Sequence, residues 1–141
     1  MMAPFVYEQA RADAPFHVQI WRGRIEPRPA NATSIKVTGR IVRLFRNKGR
    51  ALHWGQKVSF TIPIVKPEGS DTPVLDGTIR HAWESIGPAR YLEAFLESWN
   101  GEIDLVRSQV AAIRRPTWRP VYKPNAKGFL FEGNVRPRMQ A

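Results

Sequence analysis

A chain of 141 residues fits one domain and is long enough to bury a core of its own. With no cysteine it has no disulfide, no thiolate metal site and no cysteine nucleophile. A 43% hydrophobic content with seven Phe, three Tyr and five Trp excludes a disordered polymer. The net charge of +10 is segregated along the chain. Residues 17–57 carry ten cations against Glu26 alone, and 114–141 carry seven against Glu132. Residues 58–113 carry eight acids against four cations. Such blocks make an electrostatic footprint for a polyanion.

Residues 1–14 read as a flexible, loosely docked arm. The opening "MMAPFVYEQARADAPF" has neither a basic leader nor an apolar one, and no run approaches the ~20 apolar residues that span a bilayer. The expectation is a soluble, cytoplasmic protein with no membrane partner. In "PFHVQIWRGRIE" (15–26), Phe16, Val18 and Ile20 alternate with His17, Gln19 and Trp21, the period of a half-buried strand. A Pro-rich link follows at 27–33.

"SIKVTGRIVRLFR" (34–46) is a second strand, with Ile35, Val37 and Ile41 on one face and Lys36, Thr38 and Arg40 on the other. Gly39 within it and the slip of phase at Val42 and Leu44 predict a bulge or a barrel bend. "QKVSFTIPIV" (56–65) is a third strand, which Pro63 ends or confines to an edge. Residues 66–77 form a turn-rich loop.

The run 89–99 has two readings of equal weight. Tyr91, Leu92, Phe95, Leu96 and Trp99 follow helical spacing, yet Asn100-Gly101 is a strong signal for a two-residue hairpin. Residues 102–113 read as a strand. From 115 to 141 the composition turns to Pro, aromatics and cations, as in an extended basic tail. The fold class is therefore all-β, or β with one short helix: a small OB-like barrel over 15–114.

The order "KVTGRIVRLFRNKGRALHWGQKVSFTIPI", a polar gap, then "GPARYLEAFLE" resembles bacterial netrin-like domains, OB-type barrels related in fold to tissue inhibitors of metalloproteinases. The likeness rests on Gly39, Val42, Leu44, Phe45, Gly55, Val58, Phe60, Gly87, Tyr91, Leu92, Phe95 and Leu96. It implies the barrel and favours a strand over 90–97. Inhibitors of that kind act through an N-terminal cysteine, which this chain lacks, so no inhibitory role and no site residue carries over.

Chemistry-bearing motifs are sparse. "NKGR" lacks the spacing of a phosphate-binding P-loop and reads as a turn with Gly49 at positive φ. His17, His53 and His81, with Glu84 three residues after His81, have no metal-ligand spacing. Ser59, Ser85, Ser98 and Ser108 lie in no nucleophile elbow. Glu93, Glu97, Glu102 and Asp104 read as a solvated acidic face. The chain is read as non-enzymatic, with no cofactor and no metal.

The best candidate surface is the basic connection between the second and third strands. Lys36, Arg40 and Lys57 would project from the solvent face, with Arg46, Lys48 and Arg50 crowding the loop. Cations neutralise phosphates and rings stack on bases, so Trp21 and Trp54 are candidate platforms for single-stranded nucleic acid. For Trp54 the favoured alternative is a cap on the barrel end. The expected partner is nucleic acid or another polyanion, with the basic hairpin and the C-terminal tail together as the contact surface. The alternative is an accessory barrel whose C-terminal tail engages a partner such as an acidic protein.

Overall fold

A computed structural model describes residues 4–25, 32–65 and 80–121. The elements run α1 (Pro4–Asp13), β1 (Phe16–Arg22), β2 (Ser34–Asn47), a 3-10 turn (Lys48–Arg50), β3 (Lys57–Pro63), α2 (Trp83–Ile86), β4 (Tyr91–Trp99) and β5 (Glu102–Ile113). The sheet order is β3-β2-β1-β4-β5, and every neighbouring pair is antiparallel. These pairings make the two outer strands, β3 and β5, run parallel. They pack against each other and bring the sheet close to a closed barrel. Near-closure hides sheet edges that would otherwise template aggregation. The strand order and the short helix between β3 and β4 are compatible with an OB-like fold.

The interior is what the period-2 patterns predict. Phe16, Val18 and Ile20 from β1 meet Val37 and Ile41 from β2, Val58, Phe60 and Ile62 from β3, and Leu92 and Leu96 from β4. Each large side chain so buried contributes about 1.5–3 kcal/mol of transfer free energy. The phase slip in β2 has a geometric cause. His17 pairs with Arg46 but Val18 with Leu44, and Gln19 pairs with Arg43 but Ile20 with Ile41. Phe45 and Val42 are thus the extra residues of two bulges, which keep both Ile41 and Leu44 on the core side. Gly39 answers a different need. A Cβ there would run into the carbonyl oxygen of Trp21, so the two backbones approach where only glycine fits.

The equal readings of 89–99 resolve as a strand. Asn100 (φ 52°) and Gly101 (φ 84°) form a hairpin turn with both central residues left-handed. The helical spacing arose because β4 is buried on both faces. Leu92, Ala94 and Leu96 enter the barrel, while Glu93 and Phe95 are buried on its outside. The cover for that outer face comes from both flanks of the barrel. The segment expected as a loose N-terminal arm contains α1, whose Ala10, with Ala14 just beyond its end, packs on Phe95 and Val106. Residues 115–121, the start of the expected tail, lie across β1 as a strap; 122–141 are outside the described residues.

β5 is irregular opposite Phe95. Between Leu105 and Val110 it carries Arg107 (φ 48°) and Ser108 (φ 60°), a conformation that costs non-glycine residues about 1–3 kcal/mol each. Neighbouring groups brace it. Gln109 Nε2 donates to the Arg107 carbonyl (2.9 Å), Arg11 donates to Gln109, and His81 Nε2 donates to the Ser108 carbonyl (2.8 Å).

Candidate nucleic-acid interface

Antiparallel register places Trp21, Arg40 and Lys57 directly abreast on β1, β2 and β3. All three are exposed. The next row is Thr38 beside Ser59, whose hydroxyls hydrogen-bond at 2.8 Å, and beyond it Lys36 stands opposite Thr61. The Arg40 guanidinium donates to the Gly55 carbonyl (3.0 Å), which ties the row to the β2–β3 loop. None of β1, β2, β3 or that loop contains an Asp or Glu. The field over this face is therefore uncompensated from within it.

The loop itself is well braced. Asn47 closes it like a local backbone pair: its Nδ2 donates to the Leu52 carbonyl (2.7 Å) and its Oδ1 accepts from Leu52 N (3.0 Å). Gly49 (φ 64°) and Gly55 (φ 81°) make the left-handed turns, as the sequence predicts for Gly49. His53 N donates to Gln56 Oε1, and Gly55 N to the Ile41 carbonyl. This scaffold leaves Lys48, Arg50 and His53 in solvent. Trp54 does not cap the barrel: its side chain is 74% exposed, and Leu52 fills the barrel end in its place. The favoured alternative for Trp54 is thus corrected, because a two-residue offset in the turn delivers the smaller apolar residue to the core.

Arg46 stands apart from the other candidates. Its Nη1 donates to the carbonyls of Arg11 (2.8 Å) and Ala14 (2.7 Å), at the end of α1. A cation there satisfies orphan carbonyls and the helix dipole. Its role is to dock α1 on the barrel.

Two further residues join this face without having been singled out in the sequence. Arg43, opposite Gln19 on β2, lies with its guanidinium carbon 4.6 Å from the ring centroid of Trp118 in the strap. Trp118 is 87% exposed. The strap is held by a polar network on the outside of β1 and β4. Gln19 Oε1 accepts from Thr117 N (2.9 Å), and Gln19 Nε2 donates to Thr117 Oγ1 (2.8 Å) and to Glu93 Oε1 (2.7 Å). Glu93 Oε1 also accepts from Val121 N (2.9 Å), while its Oε2 meets His17 Nε2 (2.9 Å). The His17 ring stacks on Phe95 (3.9 Å) and meets the edge of Phe45 (5.1 Å).

Glu93 is therefore no member of a solvated acidic face, since it is fully buried beneath the strap. Glu97, Glu102 and Asp104 are exposed on the β4–β5 hairpin. A Gln and a Glu 74 residues apart, brought abreast by the β1–β4 pairing, gave no sequence signal of it. The only hint was the aromatic run "TWRPVY" after β5.

The remaining histidine is structural. His81 forms a parallel bridge with Ile64, and burial pushes its pKa down against the smaller upward effect of the Ser108 carbonyl. Among the described residues, no group of three or more His, Cys, Asp or Glu is placed to hold a metal ion. No described helix is long and apolar enough to cross a membrane. No protein-family model matches the chain, and no curated protein matches its sequence.

Proposed function

We propose that the protein is a non-enzymatic barrel that binds nucleic acid, in single-stranded form, on the outer face of β1–β3 and the β2–β3 loop. The observation that carries the reading is the row Trp21–Arg40–Lys57 on an acid-free surface, continued by a braced loop that presents Lys48, Arg50 and Trp54. Cations on adjacent strands follow a phosphate backbone, and exposed indoles offer faces to bases regardless of sequence. A rigid loop supports this reading because little ordering entropy remains to be lost on binding. The barrel class also supports, as part of the proposal, kinship with netrin-like OB-type barrels, from which no inhibitory chemistry follows.

Salt dependence is the test. If Lys36, Arg40, Lys48, Arg50 and Lys57 each neutralise one phosphate, log K falls with log salt at a slope of roughly −3.5. Between 50 and 200 mM salt that is on the order of a 100-fold loss. Fluorescence anisotropy with a labelled oligothymidylate measures it. Absence of binding at 50 mM salt rejects the reading.

A further inference from the structure

We infer that the C-terminal strap is part of the binding site and that Trp118, backed by Arg43, is a base-stacking platform that selects single strands over duplex. The inference rests on the proposed nucleic-acid reading and adds to it the residues that would make the single strand the preferred form.

Three observations combine. First, Trp118 is the most exposed large apolar side chain among the described residues. Second, its placement is fixed on both sides. Thr117 is paired with Gln19 through backbone N and side-chain oxygen, and Val121 N is held by buried Glu93. The Arg43 guanidinium is itself tethered, with Nε donating to the Thr117 carbonyl (3.1 Å) and Nη1 to the Val42 carbonyl (2.8 Å). A cation so placed over one face of the indole fixes the ring and leaves it presented to solvent. An aromatic with its position already fixed loses little freedom on capturing a ligand.

Third, the platform lies beside the cationic row. Thr117 docks on Gln19, two residues before Trp21 on the same outward face of β1. Two residues of strand span roughly 6.6 Å, about twice the 3.4 Å rise between stacked bases in a duplex strand. The strap's anchor on Gln19 thus lies two residues from Trp21 on the outward face, with Arg40 and Lys57 alongside for the phosphates. A paired duplex buries its base faces and offers nothing to either ring. The ligand class is a single strand with unstacked bases.

The experiment compares a labelled oligothymidylate with the same strand annealed to oligoadenylate, using the full chain and its Trp118→Ala and Trp118→Phe variants. Trp118 is exposed, so neither change threatens the fold. Trp118→Ala is expected to weaken single-strand binding about 5- to 150-fold, the range for losing one base–aromatic stack. Its duplex affinity and its salt slope should stay at the parent values, and Trp118→Phe should recover most of the loss. Equal effects on single strand and duplex, or no effect on either, overturn the inference while the broader nucleic-acid reading stands. A parent protein that binds neither probe at 50 mM salt removes both.

Discussion

Replacing Glu93 with Ala removes the acceptor on which the strap and the outer face of β1 converge. Its two oxygens meet Gln19 Nε2, Val121 N and His17 Nε2, all at 2.7–2.9 Å, at a site closed to solvent. Val121 N and Thr117 can return to water by undocking, so their cost is small. His17 and Gln19 are fixed on a central strand between buried neighbours and cannot. Each buried polar group left without its partner costs about 1–3 kcal/mol, so the two together cost roughly 2–6 kcal/mol. For a domain of this size that lowers Tm by roughly 10–20 °C.

Calorimetry gives the loss, and amide hydrogen exchange at Thr117 and Val121 shows where it arises. Both amides should exchange at the rate of unstructured chain in Glu93→Ala. Glu93→Gln keeps an oxygen for Gln19 Nε2 and Val121 N, so it should lose less and keep the strap protected. A Glu93→Ala protein within about 1 kcal/mol of the parent, with both strap amides still protected, would show that Glu93 does not anchor the strap.

Arg46 and the loop cations separate cleanly. Arg46→Ala should cost about 1–3 kcal/mol by uncapping α1 and leave the salt slope of oligonucleotide binding unchanged, whereas Lys48→Ala with Arg50→Ala should leave Tm alone and flatten that slope by about 1.4. Gly39→Ala forces a Cβ against the Trp21 carbonyl and should cost about 1–3 kcal/mol by urea denaturation, more than Gly55→Ala, which meets open space and only backbone strain. The lowered pKa of His81 makes the unfolded chain bind its proton more readily than the folded one. Its contribution to stability is therefore complete above the ordinary value of 6.5 and is lost as pH falls from there toward the lowered folded value. His81→Gln, which keeps a donor for Ser108, should flatten that part of the pH–stability profile; an unchanged profile contradicts the assignment.

The strands that carry a single buried face were legible in the sequence, because alternation at Phe16–Ile20 and Val58–Ile62 reports burial directly. The bulges at Val42 and Phe45 were legible as one phase slip. β4 was ambiguous for a physical reason: Glu93 and Phe95 are buried on its outer side, so its pattern is not period-2 but nearly continuous. That outer burial depends on α1 and the strap, contacts made across 98 residues for Gln19 and Thr117. Local patterning holds no trace of them. The candidate face was visible as charge, since strands β1 to β3 carry no acid. Its division of labour was not. Arg46 and Arg40 look alike in sequence, and only the position of α1 turns one of them toward helix carbonyls.

Amide chemical-shift changes on the uniformly labelled protein, as an oligothymidylate is added at low salt, locate the binding face. The perturbed amides should trace Trp21, Lys36–Arg40, Lys48–Lys57 and Thr117–Arg119, and the changes should fade as salt rises. Shifts confined to α1 and the acidic β4–β5 hairpin, or no shifts at all, would contradict the proposed nucleic-acid face.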